Sequence, residues 1–297
     1  MAEVHVVREI AASARIAAGA KIGPYCVVGP DVIIGPRTVL ARRVSVAGQT
    51  AVGSDNLFED GCALGCQPQD LKYRGEPTVL IIGHRNRFGR FVTAHIGTEL
   101  GGCITAIGDD NVFLDGSHVA HDCYVGDRTH FGRGVMLAGH VRVCSGAVLG
   151  DFVGVHHFVT IGRHARAGAR TPVRRDVPPF TDFYSLDYGW TPPAVMGVHE
   201  AGLRAAGLSA EEEKDLRDAL REIFEDESAL QTKIEQLVNM GVEGEVARLC
   251  EFCQRSLQGV FGRHRELYRG KTPPEARTFA QHQMLQQGRS GLRGGSA

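Results

Sequence analysis

Apolar side chains recur every six residues along more than half of this chain. Stepping from Ile10 gives Ile16, Ile22, Val28, Ile34, Leu40, Val46, Val52, Phe58 and Leu64. After an interruption the register resumes at Ile82 and Phe88, breaks again, and restarts at Ile107, Phe113, Val119, Val125, Phe131, Leu137, Val143, Leu149, Val155, Ile161 and Ala167. The position two before each of these is usually small or β-branched, as at Ala14, Cys26, Thr38, Val44, Cys62, Ser117, Cys123 and Val135. Two inward positions separated by one outward position mark a strand with a single buried face. Gly often follows, as at Gly23, Gly35, Gly126 and Gly150, and permits a tight corner. Three such strand-and-corner units close a triangular coil of 18 residues, and successive coils stack as parallel strands about 4.8 Å apart. The expected fold is an all-β solenoid.

Two segments leave the period, Cys66 to Leu80 and Gly97 to Ala106. An insertion in a solenoid projects from a corner, and such loops commonly carry function. Past Asp176-Val177-Pro178-Pro179 the period disappears, and the two prolines are expected to stop the solenoid. Ser209 followed by Glu212 predicts a capping box that opens a helix through Leu216, Leu220, Ile223 and Phe224. Further helices are expected at about 227–240 and 243–260, covering a solenoid end that would otherwise expose an unpaired strand edge. Tyr184, Tyr188 and Trp190 could stack on a base, and packing is the simpler expectation. The organisation read from this is a β-solenoid over 1–190, an α-helical module over 191–268, and a polar tail over 269–297 that is expected to be disordered towards its end.

Composition narrows the function classes. With 33 basic and 34 acidic residues the formal net charge is −1, so no chain-wide basic field exists to hold nucleic acid or an anionic membrane. No run approaches the roughly 18 apolar residues of a membrane span, and MAEVHVVREI lacks the layout of a signal peptide. A cytoplasmic protein without an integral membrane segment is expected. Eight cysteines include a CxxC at Cys250–Cys253, but no second pair completes a zinc set and the surroundings read as helix. No metal or other cofactor is expected there.

The chemistry concentrates elsewhere. Of 13 histidines, His118, His121, His130, His140, His156, His157 and His164 all fall in the second repeat block. Positions 18 apart stack, so His121, Gly139 and His157 form one column and Asp122, His140 and Phe158 the next. An imidazole with an ordinary pKa near 6.5 can take a proton from a hydroxyl, and a neighbouring carboxylate can fix its tautomer. Three histidines could also bind a metal, and the spacing does not exclude it.

The strings HVAHDC (118–123), LAGHV (137–141), VHHF (155–158) and DVPPF (176–180), with the loop string QDLKYRGEPT (69–78), resemble the UDP-N-acetylglucosamine O-acyltransferases that begin lipid A synthesis. The resemblance runs from about residue 10 to about residue 265. It implies a left-handed parallel β-helix with a C-terminal α-helical domain, no cofactor, acyl carrier protein and a UDP-sugar as partners, and a homotrimer with sites between subunits. Carried onto matching positions, it makes His121 the general base, Asp122 its orienting carboxylate and the Gly139 N–H an oxyanion donor. It places His140 on sugar or acyl group and Lys72 on sugar or phosphate, with Gln69, Asp70, His118 and His156 lining the site. Gly168-Ala169 falls where the family sets the depth of its acyl groove, and the Ala169 methyl implies a somewhat shorter chain.

Two departures stand out. His156-His157 replaces the usual His-Gln, putting a second ionisable ring in the strip. In GVHEAGLRAAG, His199, Ala201, Ala205 and Ala206 stand where the family has an Asn, a Glu and paired basic residues for the nucleotide, leaving Arg204 as the nearest cation. A paralogue acting on another nucleotide sugar, such as the 3-amino analogue, and a non-catalytic trimeric scaffold are the competing expectations.

Overall fold

The six-residue period becomes three parallel sheets that wrap one core. In this computed structural model, which describes residues 7–187, 191–225 and 229–273, successive strands belong in turn to sheets of nine, eight and ten strands. Register follows the predicted coil: Glu9 pairs with Val27, Val27 with Ser45, and His118 with Met136, each one full coil further along the chain. The architecture is a left-handed parallel β-helix. Its interior is the set of apolar positions read from the sequence, with Phe58, Phe88, Phe113 and Phe131 stacked along one face at centroid spacings of 4.6, 4.6 and 4.5 Å. Cys26, Cys62 and Cys123 sit beside them, each thiol within reach of a backbone carbonyl one coil on, at Ala41, Gly89 and Ala138. Burial pushes the Cys62 and Cys123 thiols up to about 12, which suits packing and not reactivity.

Both interruptions are loops, shorter than expected. Cys66 ends one strand and Val79 starts another, whose partner in the preceding coil is Gln49, so the first loop is added between strands that remain in register. Ile104 in turn pairs with Val79, and the second, smaller loop is inserted in the same way. The sequence pattern breaks off at Phe88, yet the strand Thr93–His95 continues the register between the loops, with Ala94 fully buried six residues on.

Pro178 and Pro179 do not stop the solenoid, contrary to expectation. They shorten its last coil, because Arg166 pairs with Asp182 and Ile161 bridges to Val177, each pairing closing sooner than a full coil. Val177 and Phe183 still enter the core, and the strand Ala194–Val198 then pairs antiparallel with Thr181–Tyr184. Tyr184 packs under Gly168, where an added Cβ would stand 2.7 Å from the Tyr184 Cβ, whereas Tyr188 and Trp190 lie outside the described residues.

Helices α1 (Glu200–Ala205), α2 (Ala210–Phe224), α3 (Leu230–Asn239) and α4 (Gly244–Gln258) follow. Ser209 and Glu212 form the expected capping box, at 3.2 and 2.9 Å. Leu203, Leu216, Leu220, Ile223, Leu249, Cys250 and Cys253 make a second core that takes in Phe180 from the solenoid, so the helices are seated on its end. The Cys250–Cys253 pair is packing, with burial pushing the Cys253 thiol up to about 12. Most of the expected tail, 274–297, lies outside the described residues.

Candidate active site

His121 and Asp122 occupy one corner of the β-helix, and the corner's geometry explains how adjacent residues serve one function. Asp122 takes the left-handed conformation, φ 59°, and so do His140 and Phe158 stacked on it, each at φ 64°. That conformation costs a residue with a Cβ roughly 1–2 kcal/mol, and here the stacked coils hold it. The His140 N–H donates to the His121 carbonyl at 3.1 Å and the Phe158 N–H to the Gly139 carbonyl at 3.3 Å.

Asp122 is fully buried, and its carboxylate is held on every side. The Thr98 N–H donates to Oδ1 at 2.7 Å, the Thr98 hydroxyl to Oδ2 at 2.6 Å, and His121 Nδ1 lies 2.7 Å from Oδ2. A carboxylate only accepts, so Nδ1 carries the hydrogen and Nε2 is left as the ring's acceptor. The Asp122 N–H donates to Thr105 Oγ1 at 2.8 Å. Thr98 caps the short 3₁₀ turn Glu99–Gly101 of the second loop, which is how that excursion enters the site. Gly101 permits the approach: a Cβ there would fall 1.9 Å from Asp122 Cγ.

His121 faces a cleft of about 710 Å³ whose lining includes Gln69, Asp70, Lys72, His118, Gly139, His140, His156 and His157. Ten of the thirteen positions singled out in the sequence, counting Asp122 behind His121 with those nine, thus meet in one place. Gly168, Ala169 and Arg204 do not line it; Gly168 and Ala169 occupy a corner further along the solenoid, and Arg204 is exposed on α1. His199 has a packing role, its Nδ1–H donating to the His164 carbonyl at 2.8 Å.

Burial keeps the supporting histidines neutral. His118 is pushed down to about 4, mainly by desolvation, and its Nδ1 lies 2.8 Å from Thr93 Oγ1. His140 also falls to about 4 through desolvation, with nearby Asp122 opposing; its ring stacks on Phe158 at 4.4 Å and 6° and meets His121 edge-on at 5.3 Å. His157, lowered mainly by burial, packs on His156 at 3.8 Å. His95, missed in the sequence, lies behind His118 at 5.1 Å and donates from Nδ1 to the Gln67 carbonyl at 2.6 Å, tying the first loop to the strip. In that loop Asp70 accepts the Lys72 N–H at 2.9 Å, a local turn that sets where the lysine starts.

His121, Asp122 and His140 offer one donor atom each within 4.8 Å, so a metal is geometrically conceivable. Both Asp122 oxygens, however, already accept hydrogen bonds from Thr98 and His121, and an ion would compete with Nδ1–H for Oδ2. The donor set suits a carboxylate-fixed base better than an ion site.

Thr98, Thr105, Gly101, Arg174 and Arg269 are site residues that the sequence did not single out. Thr98 and Gly101 lay in a recognised interruption, but no pattern announces a turn that folds back onto a carboxylate. Arg269 and Gly270 line the cleft although composition had assigned them to the tail.

The chain is similar to known proteins over most of its length. Residues 13–48 match the bacterial transferase hexapeptide (six repeats) family, and 176–261 match the second domain of UDP-N-acetylglucosamine O-acyltransferase. A protein of Verminephrobacter eiseniae named acyl-[acyl-carrier-protein]–UDP-N-acetylglucosamine O-acyltransferase is 41% identical over 60% of this chain and 66% of its own length. The same-named protein of Burkholderia orbicola is 34% identical over 70% of this chain and 80% of its own. The crystal structure of the Moraxella catarrhalis UDP-N-acetylglucosamine O-acyltransferase superposes with a TM-score of 0.75 at 33% identity, covering 83% of this chain and 95% of that one. The Francisella novicida UDP-N-acetylglucosamine acyltransferase gives 0.78 at 28% identity, over 84% and 90%. The chain therefore belongs to the acyl-[acyl-carrier-protein]–UDP-N-acetylglucosamine O-acyltransferase family.

Proposed function

We propose that this protein transfers a 3-hydroxyacyl chain from acyl carrier protein to the 3-hydroxyl of UDP-N-acetylglucosamine, the first step of lipid A synthesis. The observation that carries the reading is the 2.7 Å contact from His121 Nδ1 to the buried Asp122, at the wall of a cleft large enough for a nucleotide sugar. Nε2 of His121 takes the proton of the sugar hydroxyl as its oxygen attacks the thioester carbonyl. The imidazolium that forms is balanced by Asp122. The carbonyl oxygen gains negative charge in the tetrahedral intermediate and is met by the Gly139 N–H, which makes no hydrogen bond to another described residue. Collapse expels the carrier thiolate, and the imidazolium returns its proton to that sulfur, so the base is regenerated. His140 and His118 bind substrate as neutral donors and acceptors, His156 lines the site beside them, and Lys72 meets an anionic group from the loop.

The active assembly in this reading is a homotrimer. Exposed Phe91, Phe152 and Met136 on the solenoid's flanks supply apolar surface for neighbouring subunits, and Met136 also lines the cleft. Among the described residues no helix is long and apolar enough to cross a membrane. We place the enzyme in the cytoplasm, where its two substrates would be drawn from solution. Ala169, on the neighbouring corner, sets a somewhat shorter acyl groove once subunits meet.

The test is direct: purified protein, acyl carrier protein loaded with 3-hydroxyacyl chains of graded length, and a panel of UDP sugars including the 3-amino analogue. Transfer to UDP-N-acetylglucosamine is expected. Transfer only to the amino sugar would reassign the acceptor, and no transfer to any sugar would leave a scaffold.

A further inference from the structure

The last described segment of the chain returns to the active-site cleft. Residues His264–Tyr268 form a 3₁₀ turn, and Arg269 and Gly270 after it line the cleft together with Arg174. This segment begins beyond residue 261, where the match to the family's second domain ends.

Two buried arginines fasten it. Arg263 donates from NH1 to the Arg174 carbonyl at 2.9 Å and from Nε to Glu266 Oε2 at 3.0 Å. Arg265, 3% exposed, donates from Nε to the His140 carbonyl at 3.1 Å and lies over the Tyr124 ring at 5.3 Å. The His264 N–H adds a bond to Asp176 at 2.9 Å. Docking is thus accounted for before Arg269 is reached, and the Arg269 side chain remains 57% exposed.

Arg269 is nevertheless held in place. Its Nε donates to Glu266 Oε1 at 2.6 Å, and its guanidinium lies 4.7 Å over Phe158, whose ring stacks on His140 at 4.4 Å. An arginine stacked on an aromatic ring and braced by one carboxylate loses little freedom when it binds an anion with its remaining donors. Glu266 does not cancel the local charge, since both Arg263 and Arg269 pair with that one carboxylate. Arg174, exposed on the same rim, adds another cation, and burial holds the neighbouring His140 neutral. Arg204, the cation nearest the site in the sequence, lies outside the cleft.

We propose that Arg269, assisted by Arg174, binds the diphosphate of the nucleotide-sugar substrate, so that a C-terminal segment outside the matched family region supplies the substrate's principal charge partner. The proposal rests on the acyl-transfer reading for the identity of the substrate, while the binding itself can be measured without turnover.

Isothermal titration of the full-length protein with UDP, and steady-state kinetics with UDP-N-acetylglucosamine, test it on Arg269→Ala, Arg269→Lys and Arg174→Ala. Arg269→Ala is expected to raise Kd for UDP and KM for the sugar by about ten- to a hundredfold, the range for losing a charged hydrogen bond, while kcat and KM for acyl carrier protein stay near wild type. Arg269→Lys should recover part of that loss, and Arg174→Ala should move the same constants less. Unchanged Kd and KM in Arg269→Ala would overturn the proposal. A wild-type protein that binds UDP through Arg269 yet transfers no acyl group would overturn the acyl-transfer reading and leave this one standing.

Discussion

A methyl group at position 139 would stand 2.5 Å from Cε1 and 2.7 Å from Nε2 of His121, so Gly139 and the imidazole share one space on successive coils. Gly139 is thereby required for a reason separate from its N–H. Gly139→Ala should swing the ring off the Asp122 axis and lower kcat on the order of 100-fold, as expected for a displacement of about an ångström in a reacting group. Circular dichroism should stay close to wild type, because His121 borders the open cleft and its ring can turn into that space to admit the methyl. Full activity would mean that the ring's position is not critical.

Thr98 supplies two of the bonds that hold the buried Asp122 carboxylate. Thr98→Val keeps the shape and the N–H but removes the hydroxyl donor, leaving a buried charge short of a partner. Urea unfolding should show a loss of about 1–3 kcal/mol, with a lower kcat, and Thr98→Ser should restore both.

Buried neutral histidines predict acid sensitivity. His118, His140 and His164 each fall to about 4 from 6.5 through desolvation. The unfolded chain binds their protons first, so their contribution is fully present above about pH 6.5 and is lost as pH falls towards 4. Asp176, pushed up to about 6 by burial, acts oppositely, contributing at low pH and losing that contribution as pH rises through 6. Three groups against one leave a net loss on acidification. The urea midpoint should therefore drop between pH 6.5 and 4.5, and replacing His164 by Asn should flatten the slope. A midpoint that rises on acidification would contradict this balance.

Phe88 stacks between Phe58 and Phe113 in the interior, with no exposed surface. Phe88→Ala opens a cavity that rigid coils on both sides cannot close, and should cost about 3–5 kcal/mol in chemical unfolding. A cost below about 1 kcal/mol would mean that the stack relaxes.

The repeat was legible because two inward positions in six is arithmetic that survives substitution among Ile, Val, Leu, Phe and Cys. The same arithmetic puts Asp122 and His140 in one column. It does not reach Ala94, a single position just before the second interruption, and it takes Pro178-Pro179 as an end when they only shorten a coil. The loops were legible as interruptions, but not where they lead. Thr98 reaches Asp122 only because a 3₁₀ turn folds back, and Arg269 reaches Phe158 only because buried Arg263 and Arg265 dock the segment before it. Both contacts span positions with no periodic relation, so no pattern in the sequence encodes them.

The central claim is that His121, oriented by Asp122, is the base for acyl transfer. Its most direct test is the rate at which 3-hydroxyacyl chains pass from acyl carrier protein to UDP-N-acetylglucosamine in wild-type protein and in His121→Ala. The account predicts measurable wild-type transfer and a loss of about 100- to 10,000-fold in the variant, with the circular dichroism spectrum of the folded protein retained. Transfer by His121→Ala at close to the wild-type rate would contradict it.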